Sequence, residues 1–404
     1  MSRAARIIQE GSLYVLLFLL PFSKAAVEIC FGFLLLGWLL ERLNPGTRTD
    51  SVWVRPTLRK LAMAVVGFLA VCALSIAVSD YPSKSLSGFV NKWVEYLLFL
   101  VIVADVGTRP GVVNRSIKVL AWSSLFVIAE VATQWRFGKG VFRGYPLNYY
   151  GRATGPYENP IDLATYLMVI LPVLLSFLLA CRTRVRSLLW ILLVPLVLCF
   201  ASTEAFGAWC GLGIGMLLML WVSPGRWAPS MLFAGVTLSG WAVLRGQHHL
   251  ASTFSASEIG KVDRWMIWQA ALGMIRDRPI LGHGVNTFMA NYLKYWVGGE
   301  QQPRYAHNCY LQVAAETGLI GLLAFLALLG VLFSQLVGRL RSLQPHDRTI
   351  LSGLTSGLLA FVVQAGYDTN FYALRQAALF WVLAGLAIGL GERATREKGP
   401  PSAA

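Results

Sequence analysis

The sequence predicts an all-α polytopic membrane protein with about 12 transmembrane helices. Of its 404 residues, 56% are hydrophobic and only 14% are charged, whereas an average soluble protein has about 25% charged residues. A membrane-spanning helix needs about 20 mostly apolar residues, and the chain has enough for twelve. This composition excludes disorder and a fibrous protein. It also argues against a nucleic-acid-binding module despite the formal net charge of +15.

Twelve apolar runs follow one another along a single integral membrane domain, residues 1–404. The first two runs form one long apolar stretch, Leu13 to Leu40, without a small-residue cleavage site, so the N-terminus is not expected to be a cleavable signal. An even number of spans places both termini on the same side. The runs lie near residues 9–22, 25–41, 60–79, 86–105, 116–135, 161–180, 187–201, 206–222, 228–244, 310–337, 349–367 and 372–390.

The positive charges predict the orientation of these spans. Twenty of the 35 Lys and Arg residues fall in short loops or termini on one face, which the positive-inside rule assigns to the cytoplasm. Both termini are therefore predicted to be cytoplasmic. Eleven other cations lie in or at the edges of two long outer loops, 136–160 and 245–309. Because long loops escape the rule, these cations suggest an anion that binds on the outer face.

The longer outer loop, between spans 9 and 10, is expected to be helical. Apolar residues at 3–4 spacing from Val262 to Ile275 predict an amphipathic helix. Pro279 should end this helix, and the Gly282-His283-Gly284 segment should form a turn before a second apolar segment, Phe288 to Val297.

Two clusters of candidate site residues lie in the outer loops. The first is Arg152-Ala-Thr-Gly-Pro-Tyr-Glu-Asn-Pro160, whose Gly-Pro and Asn-Pro pairs also fit a plain turn before a helix. The second comprises Asp263-Arg264, Arg276 and Arg278, for which a solvated helix face is the structural alternative.

Two further clusters adjoin spans. His307-Asn308 begins the tenth span and Glu316 follows two turns later. Ionisable groups in or at the mouth of a span are costly and usually functional, although a lone histidine at a helix start is often a cap. Asp368 and Arg375 lie in the hairpin between the last two spans, where an interfacial ion pair is the alternative.

The clusters contain no metal-binding spacing, nucleotide loop or Ser-His-Asp order, so neither a metal nor a cofactor is expected. A reaction on the outer face without a cofactor must take its free energy from an activated substrate. In the cell envelope, this requirement points to a lipid pyrophosphate.

The run His307-Asn308-Cys309-Tyr310-Leu311 with Glu316, Gly318 and Gly321 resembles the signature of the O-antigen ligase and O-antigen polymerase family. Upstream, Arg264-Trp-Met-Ile-Trp268 and Arg278-Pro-Ile-Leu-Gly-His-Gly284 are similar to the segment that precedes this signature. The length and the single large late loop look most like an O-antigen ligase.

The resemblance implies a glycosyltransferase C-type fold and a metal-independent, inverting enzyme of the bacterial inner membrane. Such a ligase transfers O-antigen polysaccharide from undecaprenyl pyrophosphate to lipid A-core at the periplasmic face, completing lipopolysaccharide. Many relatives have an Arg near the start of a middle span, where this chain has Ala205-Phe206-Gly207-Ala208. Arg143 and Arg152 are the candidates to replace that Arg.

The residues and the resemblance together give one predicted mechanism. Arg152 and Arg264 would hold the pyrophosphate, since guanidinium is planar, multidentate and permanently charged. His307 would act as general base, oriented by Asn308 or Glu316, with Asp368 as an alternative base. The further substrate-binding candidates are Arg143, Arg276, Arg278, Asn308, Glu316 and Arg375.

Three other functions remain open at this stage. The nearest is an O-antigen polymerase, which uses a second undecaprenyl-linked glycan as acceptor. A protein O-oligosaccharyltransferase is usually longer. A lipid or anion transporter would require matching inverted halves, which the sequence lacks.

Overall fold

The fold is all-α, as predicted. The computed structural model describes residues 2–43, 53, 55, 58–148, 151–181, 184–222, 264–296 and 304–396. Within these ranges there is no strand, and the β pairing consists of one isolated bridge between Lys139 and Pro146.

Eleven of the twelve predicted apolar runs coincide with helices, and the remaining run, 228–244, lies outside the described residues. The fourth run coincides with three consecutive helical segments: Pro82–Gly88, a π-helical turn at Phe89–Val94, and Glu95–Gly107. The helices are α1 (Ser2–Leu19), α2 (Lys24–Arg42), α3 (Arg59–Ala77), α4 (Pro82–Gly88), α5 (Glu95–Gly107), α6 (Val112–Phe137), α7 (Pro160–Ala180), α8 (Arg184–Ala201), α9 (Phe206–Val222), α10 (264–277), α11 (Phe288–Asn291), α12 (Cys309–Leu340), α13 (Pro345–Gln364) and α14 (Leu374–Arg396).

Six of the described segments are long and apolar enough to cross a membrane. They are α3, the continuous stretch Pro82–Gly107, α6, α7, α12 and α14. The chain is therefore a polytopic membrane protein, and the count of twelve spans stays a prediction.

Helices α7 and α14 lie at the centre of the bundle. In their most apolar windows, 83% of α7 and 94% of α14 are buried by the protein, compared with 33% of α12. Helix α14 packs against α5 through glycine. A Cβ on Gly389 would lie 2.6 Å from the carbonyl carbon of Gly107, so only a small residue permits this approach.

Ion pairs gather at the end of the bundle where α12 finishes, opposite its start at Cys309. The cations in these pairs all belong to the set that the sequence assigns to the cytoplasm, which supports placing their loops on one face. The pairs are Arg6–Glu41, Arg109–Glu41, Arg42–Asp105, Arg55–Glu392, Arg339–Glu392 and Arg393–Asp347.

Reporter fusions test which face this is. Alkaline phosphatase, which folds only outside the cytoplasm, should be active when fused after Gly144 in the 138–159 loop. The same enzyme should be inactive when fused after Gln344, beside the ion-paired end. Equal immunoblot levels of the two fusions provide the control, and the reverse activities would overturn the predicted orientation.

Candidate active site

A break in α12 anchors the loop that precedes it. Gly318 has φ 72° and ψ −179°, which interrupts the helix, and the turn at residues 279–284 fits against this break. The Leu319 amide donates to the Pro279 carbonyl at 2.8 Å, and the Gly284 amide donates to the Glu316 carbonyl at 2.8 Å. The predicted Gly282-His283-Gly284 turn is thereby fixed to the helix that carries the His307 motif.

Glu316 connects this loop to Tyr372, in the segment that precedes α14. Its buried carboxylate accepts hydrogen bonds from the amides of Asn286 at 2.6 Å and Phe288 at 3.2 Å. It also accepts from the Gln312 side chain at 3.2 Å and from the Tyr372 hydroxyl at 2.9 Å. Burial of a carboxylate is tolerated where such donors satisfy it. Glu316 thus joins three segments of the site, and its hydrogen-bond partners among the described residues do not include His307.

Lys92 contacts Tyr372 and the 279–288 loop as well. It was not singled out from the sequence. Its ammonium lies 5.6 Å from the ring centroid of Tyr305 and 5.3 Å from that of Tyr372, within the range of cation–π attraction. It also donates to Asn286 Oδ1 at 2.9 Å. Lys92 could have been identified from the sequence, because it lies inside the fourth apolar run, where an ionisable group is energetically costly.

A cavity of about 420 Å³ opens at this end of the bundle. Its walls are the N-terminal ends of α2, α7 and α14 and the segments 305–307 and 368–373. The ionisable side chains that line it are Lys24, Glu28, Asp162, Tyr305, His307, Asp368, Tyr372 and Arg375.

His307 and Asp368 form a pair in the wall of this cavity. His307 Nδ1 lies 3.3 Å from Asp368 Oδ1, and the two side chains are 34% and 15% exposed. In a neutral imidazole, a hydrogen bond from Nδ1–H to this carboxylate leaves Nε2 as the acceptor. His307 also has φ 47°, a left-handed conformation that is uncommon outside glycine.

The residues next to His307 fix its position. Asn308 caps α12, because its side-chain oxygen accepts from the amides of Tyr310 at 3.0 Å and Leu311 at 3.1 Å. The Cys309 amide donates to the carbonyl of Asp368 at 3.2 Å. This hydrogen bond joins the start of α12 to the loop that carries Asp368. The carboxylate beside the imidazole is that of Asp368.

Arg375 joins three segments behind the pair. Its side chain is buried, and Nη1 donates to the carbonyls of Pro21 at 2.7 Å and Pro156 at 3.2 Å. The guanidinium lies 4.2 Å from the ring centroid of Tyr157. The predicted substrate-binding residue therefore also holds the 152–160 segment against the cavity.

Arg152 and Arg264 form a second cluster on the same end of the protein. Arg152 Nε donates to the Thr203 carbonyl at 2.6 Å. The pKa of Arg152 lies below its usual value, mainly because the side chain is buried. The positive charge of Arg264 also lowers this pKa, and the negative charge of Glu204 partly offsets the shift. Arg152 therefore lies within electrostatic range of both Arg264 and the Glu204 carboxylate. Pro156, whose carbonyl accepts from Arg375, is four positions along the chain from Arg152, so the Cα atoms of Arg152 and Pro156 are at most about 14 Å apart.

The start of α9, where the family resemblance leads one to expect an Arg, also reaches this region. The Phe206 ring lies 6.0 Å from that of Tyr367, the residue before Asp368. Arg152 contacts Thr203, three residues before Phe206, so Arg152 is the candidate replacement found here. Arg143 lies farther along the 138–159 loop, where it donates to the Tyr145 hydroxyl at 3.0 Å.

The remaining predicted arginines lie on or near α10. Arg278 pairs with Asp80 at 2.8 Å and donates to the Val78 carbonyl at 2.8 Å, so it attaches the loop to the end of α3. Arg276 is exposed. Asp263 and the loop residues 245–262 lie outside the described part of the chain.

Sequence reasoning missed three residues that line the cavity, namely Lys24, Glu28 and Asp162. Lys24 and Glu28 are one turn apart at the start of the second apolar run, and Asp162 follows Asn159-Pro160. Charged residues are common near span ends, so only the convergence of these three in space distinguishes them.

Comparison with known proteins identifies related sequences. Residues 163–326 match the family model described as O-antigen ligase, which confirms the resemblance of the His307 motif to that family. A protein of Rickettsia felis (strain ATCC VR-1525 / URRWXCal2), named "Putative polysaccharide ligase", is 24% identical over 319 residues, which are 71% of this chain and 74% of that protein. A solved structure titled "Structural coordination of polymerization and crosslinking by a peptidoglycan synthase complex" aligns with a TM-score of 0.47 and 16% identity, over 83% of this chain and 97% of the other.

Proposed function

We propose that this chain, which resembles the O-antigen ligase family, transfers O-antigen polysaccharide from undecaprenyl pyrophosphate to lipid A-core. The observation that carries the proposal is the His307–Asp368 pair in the wall of a cavity, with the Arg152–Arg264 cluster on the same end of the protein. A base and a guanidinium cluster are the two groups that a glycosyl transfer from a pyrophosphate requires.

In the proposed reaction, His307 Nε2 removes the proton from an acceptor hydroxyl, and that oxygen attacks the anomeric carbon of the donor. The bond from this carbon to the pyrophosphate oxygen breaks, and the electron pair leaves with the pyrophosphate. Arg152 and Arg264 stabilise this leaving group through charge-assisted hydrogen bonds. Asp368 stabilises the imidazolium that forms. A single displacement inverts the anomeric configuration and needs no metal.

The proposed setting is the bacterial inner membrane, with the active site on the periplasmic face and both termini in the cytoplasm. The polyprenyl tail of the donor would lie between spans, and the lipid acceptor would enter from the outer leaflet. The ion-paired, cation-rich end at the opposite side of the bundle supports this orientation.

Reconstitution tests this function directly. Purified protein mixed with undecaprenyl-pyrophosphate glycan and lipid A-core, without added metal, should yield ligated lipopolysaccharide on a gel. Arg264→Lys keeps the charge but loses the planar fork, so the yield should fall strongly in this variant while membrane insertion is retained. Extension of the undecaprenyl-linked glycan without transfer to lipid A-core would instead make the chain a polymerase.

A further inference from the structure

We infer that the cavity beside His307 is the subsite for the acceptor sugar, and that Glu28 and Lys24 on α2 recognise its hydroxyl groups. This inference rests on the proposed function and extends it to residues outside the His307 motif. It places the pyrophosphate outside the cavity, at Arg152 and Arg264.

The charges of the cavity favour a neutral saccharide over a pyrophosphate. Two cations, Lys24 and Arg375, face three carboxylates, those of Glu28, Asp162 and Asp368, so the formal balance is one negative charge. The lining therefore has no excess of positive charge to hold a multiply charged pyrophosphate. Outside the cavity, the Arg152–Arg264 pair with Glu204 has one net positive charge, which suits the leaving group.

The positions of the two clusters agree with this division. In a single displacement, the attacking hydroxyl and the leaving group lie on opposite sides of the anomeric carbon. The base must therefore be on the acceptor side and the guanidinium groups on the other side. His307 and Asp368 line the cavity, whereas Arg152 lies outside it against Thr203.

The side chains available on α2 suit sugar hydroxyls. Among the described residues, neither Lys24 nor Glu28 has an ion-pair or hydrogen-bond partner, although Lys24 is close enough to attract Asp162 electrostatically. The carboxylate can accept from hydroxyl groups and the ammonium can donate to them. Tyr305 and Tyr372 supply aromatic surface in the same wall. The volume of about 420 Å³ falls in the range of small-molecule sites, about 300–1,000 Å³.

The test is a two-substrate kinetic analysis with lipid A-core as acceptor and undecaprenyl-pyrophosphate glycan as donor. Glu28→Gln and Lys24→Ala should each raise the KM for the acceptor about tenfold, the effect of losing about 1.4 kcal/mol of binding. The KM for the donor should stay unchanged. Lys84→Ala is the matched control, because Lys84 is also exposed near this end of the bundle but does not line the cavity.

The outcomes separate the inference from the function on which it rests. An unchanged acceptor KM in both variants, or a raised donor KM, would reject the acceptor subsite while wild-type transfer still supported the ligase. Absence of wild-type transfer would reject the ligase itself. Glu28→Asp serves as a second variant that keeps the carboxylate; partial recovery of the acceptor KM, with wild-type melting temperature in detergent, is expected.

Discussion

Replacement of Gly318 by alanine is expected to destabilise the protein and abolish its activity. With φ 72° and ψ −179°, Gly318 occupies a backbone region that is essentially restricted to glycine, at a cost of about 1–3 kcal/mol for another residue. A Cβ at this position would also lie 2.0 Å from the Ile280 carbonyl oxygen and 2.6 Å from the Leu281 amide nitrogen. Since both atoms are backbone, no side-chain rotation relieves the clash.

This substitution would also disturb the active site, because the 279–284 turn packs against Gly318. The turn at 279–284 would have to leave the break in α12, and the hydrogen bonds from Asn286 and Phe288 to Glu316 would be lost with it. Melting temperature in detergent and glycan transfer should both fall. Gly330→Ala is the control on the same helix, because a Cβ there meets nothing within 4 Å. That change should leave stability equal or slightly higher, since alanine favours helix over glycine by about 1 kcal/mol. Equal melting temperatures for Gly318→Ala and wild type would contradict the structural role of the break.

The helices could be predicted from the sequence because each apolar run reports directly on burial in lipid or protein. The break in α12 could not, since Gly318 lies inside the apolar run 310–337. Glycine in such a run is equally compatible with close helix packing. What sets its conformation is the turn at 279–284, about 35 residues earlier in the chain.

The sequence predicted those site residues whose side chains can perform acid–base chemistry and also lie in or near the family motif. His307 and Asp368 were both named from the sequence, but their contact was not, because 61 residues separate them. Glu316 is the nearer carboxylate along the chain and was therefore the expected partner of His307. Its distance from His307 follows from helix geometry. Two turns of α12 carry it about 11 Å along the axis, where the Tyr372 hydroxyl and the amides of Asn286 and Phe288 bind it.

His307→Ala is expected to reduce glycan transfer by about 10²–10⁴, the usual effect of losing a positioned general base. A purely structural role predicts much less, because Asn308 rather than His307 caps α12. Donor binding should be retained, since the arginine cluster is separate from this pair. The measurement is initial rate with purified protein, defined donor and acceptor. Cys309→Ser is the neighbouring control and should transfer at nearly the wild-type rate, because serine can still donate to Asn370 Oδ1 as the thiol does at 3.3 Å.

His307→Asn provides the sharper test of the base, because it separates chemistry from backbone conformation. The φ of 47° at this position penalises alanine, whereas asparagine adopts left-handed backbone readily. Asparagine can also donate a hydrogen bond to Asp368, yet its amide cannot take up the proton from the acceptor hydroxyl. We therefore expect His307→Asn to melt at the wild-type temperature and to transfer as slowly as His307→Ala. Turnover near the wild-type rate in His307→Asn would move the general base to Asp368, and the rate of Asp368→Asn would then decide whether any base is needed beside the two arginines.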